Sequence, residues 1–201
     1  MSNETLKWYL PVFLLVYLFI TFVLPSYRVY KQTGINPFTF GKSDSAHDYI
    51  GRLMKAVTGL LVAVVLLFSC WEDGYRYTAP VVFLEKTPVR VAGIVLLQLS
   101  LVWIIIPQYQ MQQSWRIGID ANNPTKLVTS GLFRFSRNPV FLGMLSSLLG
   151  MFLVIPNALT LAIFFVSYCL LQIQIRLEEA FLGSQHGAVY QAYRKRVPRF
   201  L

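Results

Sequence analysis

Two polar blocks in this chain carry residue types able to do chemistry. Lys126 to Gly143, KLVTSGLFRFSRNPVFLG, and Arg176 to Leu201, RLEEAFLGSQHGAVYQAYRKRVPRFL, each border long apolar runs. Glu178 and Glu179 supply acceptors for cationic or hydroxyl groups, Arg137 and Arg176 supply donors for an anion, and Phe133, Phe135 and Phe141 supply apolar walls. On a helix beginning near Arg176, the i, i+3 spacing puts Arg176 and Glu179 on one face and turns Glu178 aside, so Glu179 is the expected site-facing carboxylate. The same pair read as a plain surface ion pair would be worth only about 0.5 kcal/mol. Pro139 suits a first helical turn, where its missing N–H costs nothing. The helix would start beside Asn138, an N-cap whose neighbouring unpaired N–H groups suit an anion.

The elements that must position these blocks follow from composition. The chain is 55% hydrophobic and 13% charged, with a positive mean hydropathy of +0.53, more apolar surface than a 201-residue soluble domain could bury. The fold class is therefore an all-α integral membrane protein. A helix needs roughly 20 apolar residues to cross about 30 Å of hydrocarbon. Uncharged runs at Trp8–Leu24, Ala56–Trp71, Val91–Ile106, Val140–Ile155 and Ala158–Ile175 give about five transmembrane helices, the fourth short for a full crossing. Pro156 and Asn157 separate the last two and predict a helical hairpin. A C-terminal amphipathic helix is expected beyond it, with Tyr190 and Tyr193 used for packing at the interface. Residues 1–110 read as an N-terminal three-helix region and 111–201 as the functional core.

Charge fixes an expected orientation. Arg28, Lys31, Lys42, Arg52, Lys55, Arg116, Lys126, Arg134, Arg137 and the basic tail share one side and carry the whole net charge of +9. On the other side Lys7, Arg76, Lys86 and Arg90 are balanced by Glu4, Glu72, Asp73 and Glu85. Basic loops stay cytoplasmic, so the N-terminus is expected outside and the C-terminus inside, with a basic face that attracts anionic lipid. The first apolar run exceeds a signal-peptide core and is expected to remain as a span. A high pI in such a chain is no argument for nucleic-acid binding. Cys70 and Cys169 are expected as small buried hydrophobes, and isolated His47 and His186 give no metal spacing. Gln98, Gln172 and Gln174 are expected to make interhelical hydrogen bonds.

The order R-N-P-x-x-x-G, hydrophobic hairpin, R-x-E-E, then G-x-x-Y-x-x-Y-x-x-x-V-P resembles the isoprenylcysteine carboxyl methyltransferase family and its wider superfamily of membrane methyltransferases, which includes phospholipid N-methyltransferases. The resemblance covers Gly118 to Phe200. It implies methyl transfer from S-adenosylmethionine at the cytoplasmic ends of the last helices. By the same resemblance Thr125, Lys126, Leu127, Val128, Phe133, Asn138, Pro139, Val140, Phe141 and either Glu178 or Glu179 line the cofactor, with Arg137 expected beside them as a donor. Arg176 is implied on the substrate side, and Arg176 and Asn138 are the implied catalytic residues. The implied partners are membrane lipids and a lipophilic methyl acceptor, with no nucleic acid and no metal.

Departures from the family pattern bear on the acceptor. Asn138 stands where many members have His, Phe141 where they have Tyr, Thr125 where the prenylcysteine enzymes have His, and His186-Gly187 where Phe-Gly is usual. Asn keeps hydrogen-bonding capacity but does not titrate near neutrality. A prenylcysteine-like carboxylate is the first expectation, a phosphatidylethanolamine-type amine the second and a small thiol the third. A non-enzymatic scaffold or transporter is the alternative from another class. The compact form resembles prokaryotic members, which points to an inner (plasma) membrane.

Overall fold

The computed structural model describes residues 3–40 and 44–201. Lys42, counted above on the basic face, lies outside the described residues. Among the described residues every regular element is a helix: α1 (Asn3–Leu18) runs through a π-helical turn (Phe19–Val23) into α2 (Leu24–Thr33), and α3 (Ala46–Cys70) returns. A short α4 (Glu72–Arg76) leads to α5 (Thr87–Met111), and α6 (Pro139–Val154) and α7 (Ala158–Arg196) complete the bundle. Among the described residues, four helical stretches are long and apolar enough to cross a membrane. The fifth, α6, has 16 residues and spans roughly 24 Å at about 1.5 Å per residue. Large apolar side chains face outward along them, with Trp8 78% and Leu15 70% exposed. A bilayer covers such a surface at no cost, whereas water would not.

The same logic corrects the expectation for the cysteines. Cys70 and Cys169 are both exposed and free, because an apolar context marks a lipid-facing position as readily as an interior one.

The Pro156-Asn157 turn forms as the sequence predicts. Asn157, fully buried, caps α7 by accepting from the Thr160 N–H at 2.8 Å, and the Thr160 hydroxyl accepts back from the Asn157 N–H. The tip is held by the loop before α5: Val81 N–H donates to the Pro156 carbonyl and Ala158 N–H to the Ala79 carbonyl, at 2.8 and 3.0 Å. The tip thus reaches the end of the bundle where Asn3, Arg90 and Glu85 are also joined. Asn157→Ala is expected to cost about 1–2 kcal/mol, the usual worth of a good cap, read as a lower thermal midpoint in detergent. An unchanged midpoint would mean the loop alone holds the tip.

The glutamines divide. Gln98 bonds the Tyr9 hydroxyl across helices at 2.7 Å, and buried Gln108 donates to the Thr21 carbonyl at 2.7 Å, inside the π turn. Gln172 and Gln174 instead bond within α7, to Arg176 and Glu178.

The tail helix differs from expectation. Nothing breaks the ladder after Ile175, so α7 continues from the hairpin until Gly187, which takes φ +52° and kinks the chain. The segment beyond the kink folds back with Tyr190, Tyr193 and Val197 packed on Leu127 and Leu182.

Candidate functional site

The connection between α5 and α6 builds one wall. Asp120 pairs with Arg116 at 3.3 Å and accepts from the Asn122 and Asn123 N–H groups, which sets a turn. Gly118 sits at φ +95° against Thr39 and His47, where a side chain would be strained and would clash. His47 Nε2 accepts the Ile119 N–H at 2.9 Å, so the first turn of α3 anchors this loop. Accepting that bond requires neutral imidazole, and burial does push the His47 pKa down despite the opposing pull of Asp48. Residues Thr125 to Val128 then run between Ser114, whose hydroxyl donates to the Lys126 carbonyl, and Gln185, which reaches the Thr125 carbonyl.

The second wall comes from α7 and the refolded tail. The buried stripe of α7 at its polar end is Leu171, Gln174, Ile175 and Glu179, with Glu178 half-buried beside it. Both carboxylates lie beyond Ile175, outside the apolar span. The tail crosses back over the start of α6: Arg137 N–H donates to the Pro198 carbonyl at 3.0 Å, and Asn138 Nδ2 and the Ser136 hydroxyl donate to the Arg199 carbonyl. The Tyr193 hydroxyl donates to the Phe133 carbonyl at 2.7 Å.

Between the walls lies a cleft with about 530 Å³ of free space, its open mouth included. The structure brings Thr125, Lys126, Leu127, Val128, Phe133, Arg137, Asn138, Glu178 and Glu179 together around it. Pro139, Val140 and Phe141 do not line it. Val140 packs into a core with Val29, Ile104 and Trp115, and the Pro139 carbonyl accepts from the Trp103 indole at 3.1 Å. Phe135, expected as a wall, is 62% exposed.

Arg176 is also placed elsewhere. It lies off the buried stripe, exposed, with Nη1 donating to the Gln172 carbonyl and side chain. The i, i+3 relation puts it about 60° around the helix from Glu179, and at the edge of a buried face that angle is enough to separate them.

The residues that sequence reasoning missed are Arg199, Tyr190 and Tyr193. Arg199 clasps Glu179 side-on, Nε to Oε1 at 3.0 Å and Nη2 to Oε2 at 2.7 Å. Arg137 Nη1 stands 3.0 Å from Glu179 Oε1. Burial would raise the Glu179 carboxyl, but the Arg199 hydrogen bonds and the charges of Arg137 and Arg199 outweigh it and hold the group below the usual carboxylate range. Among the described residues Glu178 has no cation partner of this kind. Burial pushes its carboxyl up to about 7, against the opposing Gln174 hydrogen bond at 2.8 Å. Two adjacent carboxylates are thus driven to opposite protonation behaviour by their surroundings.

Fold and cleft together define a helical membrane protein with a candidate site at the end of its bundle. The family model described as phospholipid methyltransferase matches residues 89–188, which reach from the start of α5 past both glutamates. Over this stretch, about half of the chain, the protein is similar to that family, which is part of the wider membrane methyltransferase superfamily. No curated protein sequence matches it.

Proposed function

We propose that this protein transfers the methyl group of S-adenosylmethionine to a lipophilic acceptor at the cytoplasmic face of a plasma (inner) membrane, with the N-terminus outside. The observation that carries this reading is the meeting of the R-N-P block and the twin glutamates in one cleft, with Arg137 and Glu179 3.0 Å apart. The cleft suits a cofactor that bears a carboxylate, a cationic amine, hydroxyls and a flat ring. Arg137 keeps buried Nε and Nη1 donors with no hydrogen-bond partner, a fitting place for an anionic group. Glu178 offers an acceptor, and Phe133, Tyr190, Leu127 and Leu182 offer apolar and aromatic walls. When bound, the cofactor supplies an electrophilic methyl group on a sulfonium. The chain's own task is to align the acceptor and exclude water, effects that can be worth up to about 7–11 kcal/mol.

Two acceptors remain in play, each for a stated reason. The motif order resembles the prenylcysteine enzymes, whose carboxylate acceptor needs no base. The matched family description favours a phospholipid amine, which must lose a proton before it attacks, and Glu178, held near neutrality, is a base able to take it. Incubating purified protein in lipid nanodiscs with methyl-labelled S-adenosylmethionine and separate prenylcysteine, phosphatidylethanolamine and thiol acceptors ranks them. Label in none of them would end the methyltransferase reading and favour a scaffold.

The pH profile separates the two acceptors. Glu178 is protonated below about 7 and cannot accept a proton there, so amine methylation is expected to rise roughly tenfold per pH unit up to about 7 and then level. Glu178→Gln should flatten that limb, whereas a carboxylate acceptor should show no such limb in either protein. Stability runs the other way. The folded chain keeps this proton to a higher pH than the unfolded chain, so the group's contribution is full below about 4.5 and is lost as pH rises through about 7.

A further inference from the structure

We infer that Arg199 is a positioning residue of the site: by occupying both oxygens of Glu179 it leaves the buried Arg137 donors without an aligned acceptor, so that they can receive an anionic group of the ligand. The inference rests on the cofactor reading above and specifies which part of the ligand the triad recognises.

The argument begins with a count of donors and acceptors. Glu179 is 7% exposed, and its two oxygens are met by Nε and Nη2 of Arg199 in a fork at 3.0 and 2.7 Å. Such a bidentate pair is both strong and geometrically fixed. Arg137 Nη1 stands 3.0 Å from the same carboxylate and the guanidinium also meets the Tyr190 hydroxyl, yet its Nε and Nη1 make no aligned hydrogen bond although both are buried. Buried guanidinium donors without acceptors are costly and uncommon. Two cations face one carboxylate, so the cluster carries a residual positive charge, and the unspent donors belong to the residue that lines the cleft. A ligand carboxylate would satisfy them.

The tail is pinned to deliver Arg199 there. The Pro198 carbonyl accepts the Arg137 N–H, and the Arg199 carbonyl accepts from Asn138 and Ser136. The tail segment that carries the clasp is therefore bonded to the residue whose donors it keeps available. Without Arg199, Glu179 can turn to accept from Arg137, and the anion site would be consumed from within.

The test compares S-adenosylhomocysteine with its decarboxylated counterpart by isothermal titration on the full-length protein in nanodiscs. Wild type should prefer the carboxylate-bearing ligand by at least about tenfold. Arg199→Gln should lose most of that preference by weakening only the carboxylate-bearing ligand, and Arg199→Lys, which keeps charge without the fork, should fall between. Equal weakening of both ligands in Arg199→Gln would mean a merely structural tail and overturn the inference, as would no weakening at all. If Arg199→Gln does not fold, wild type and Arg199→Lys decide, and equal affinity of wild type for the two ligands is then the overturning result. Wild type binding neither ligand is a different outcome, which removes the cofactor reading and this inference with it.

Discussion

Glu179→Ala is expected to lower stability by about 3 kcal/mol and to abolish methyl transfer. Removing one partner of a buried ion pair costs about 3–5 kcal/mol because the other charge is left uncompensated. The lower end applies here. Arg199 is 29% exposed and can turn toward water, whereas Arg137 is 9% exposed and cannot. Arg137→Met should behave differently, since Glu179 keeps its Arg199 fork and no charge is stranded. Its thermal midpoint should move little while its activity disappears. Thermal unfolding in detergent, read beside label transfer in nanodiscs, separates the two variants. Equal midpoints for wild type and Glu179→Ala would show that the triad is solvated and of little energetic weight.

The hairpin was legible because its signal is local. A Pro-Asn pair between two apolar runs leaves the chain little else to do, and the capping box at Asn157 and Thr160 closes within four residues. The pairing of the R-N-P block with the glutamates was legible only as an ordered set of motifs, since no spacing rule predicts a contact across a hairpin. Arg199 had no signal of either kind. It sits among Arg194, Lys195 and Arg196, where a basic residue after a membrane helix reads as a headgroup contact, and only the kink at Gly187 turns it back toward Glu179.

Arg176 shows the reverse error. Its spacing to Glu179 is right for one face, but the helix phase is set by the apolar span from Ala158, which puts Leu171, Ile175 and Glu179 on the buried stripe and Arg176 beside it. Phase inherited from a preceding span outweighs the spacing of two charges. The opposed protonation of Glu178 and Glu179 was likewise out of reach, because it depends on one side chain arriving from 20 residues away.

Gly93→Val is expected to destabilise the protein by about 3 kcal/mol or more, the upper end of the cost of overpacking. Helices in a bilayer gain nothing from hydrophobic burial against each other, so close backbone approach has to supply the attraction. Here α5 and α6 meet at Gly93 and Gly150. A Cβ added at Gly93 would stand 2.8 Å from the Gly150 carbonyl oxygen, and one at Gly150 would stand 3.0 Å from the Gly93 carbonyl oxygen. Backbone atoms cannot rotate away as a side chain can, so the helices must part. Their separation is resisted by the buried Ser100–Ser147 hydroxyl pair at 2.7 Å and, at the cleft end, by the Trp103 bond to the Pro139 carbonyl. The strain should therefore be felt as lost stability more than as altered cofactor affinity in the molecules that remain folded. Gly93→Ala should fall between wild type and Gly93→Val. Gly59→Ala, with nothing within 4 Å of the added carbon, should leave the midpoint unchanged or slightly raised. Should Gly93→Val melt with Gly59→Ala, the glycine contact is not what holds α5 to α6.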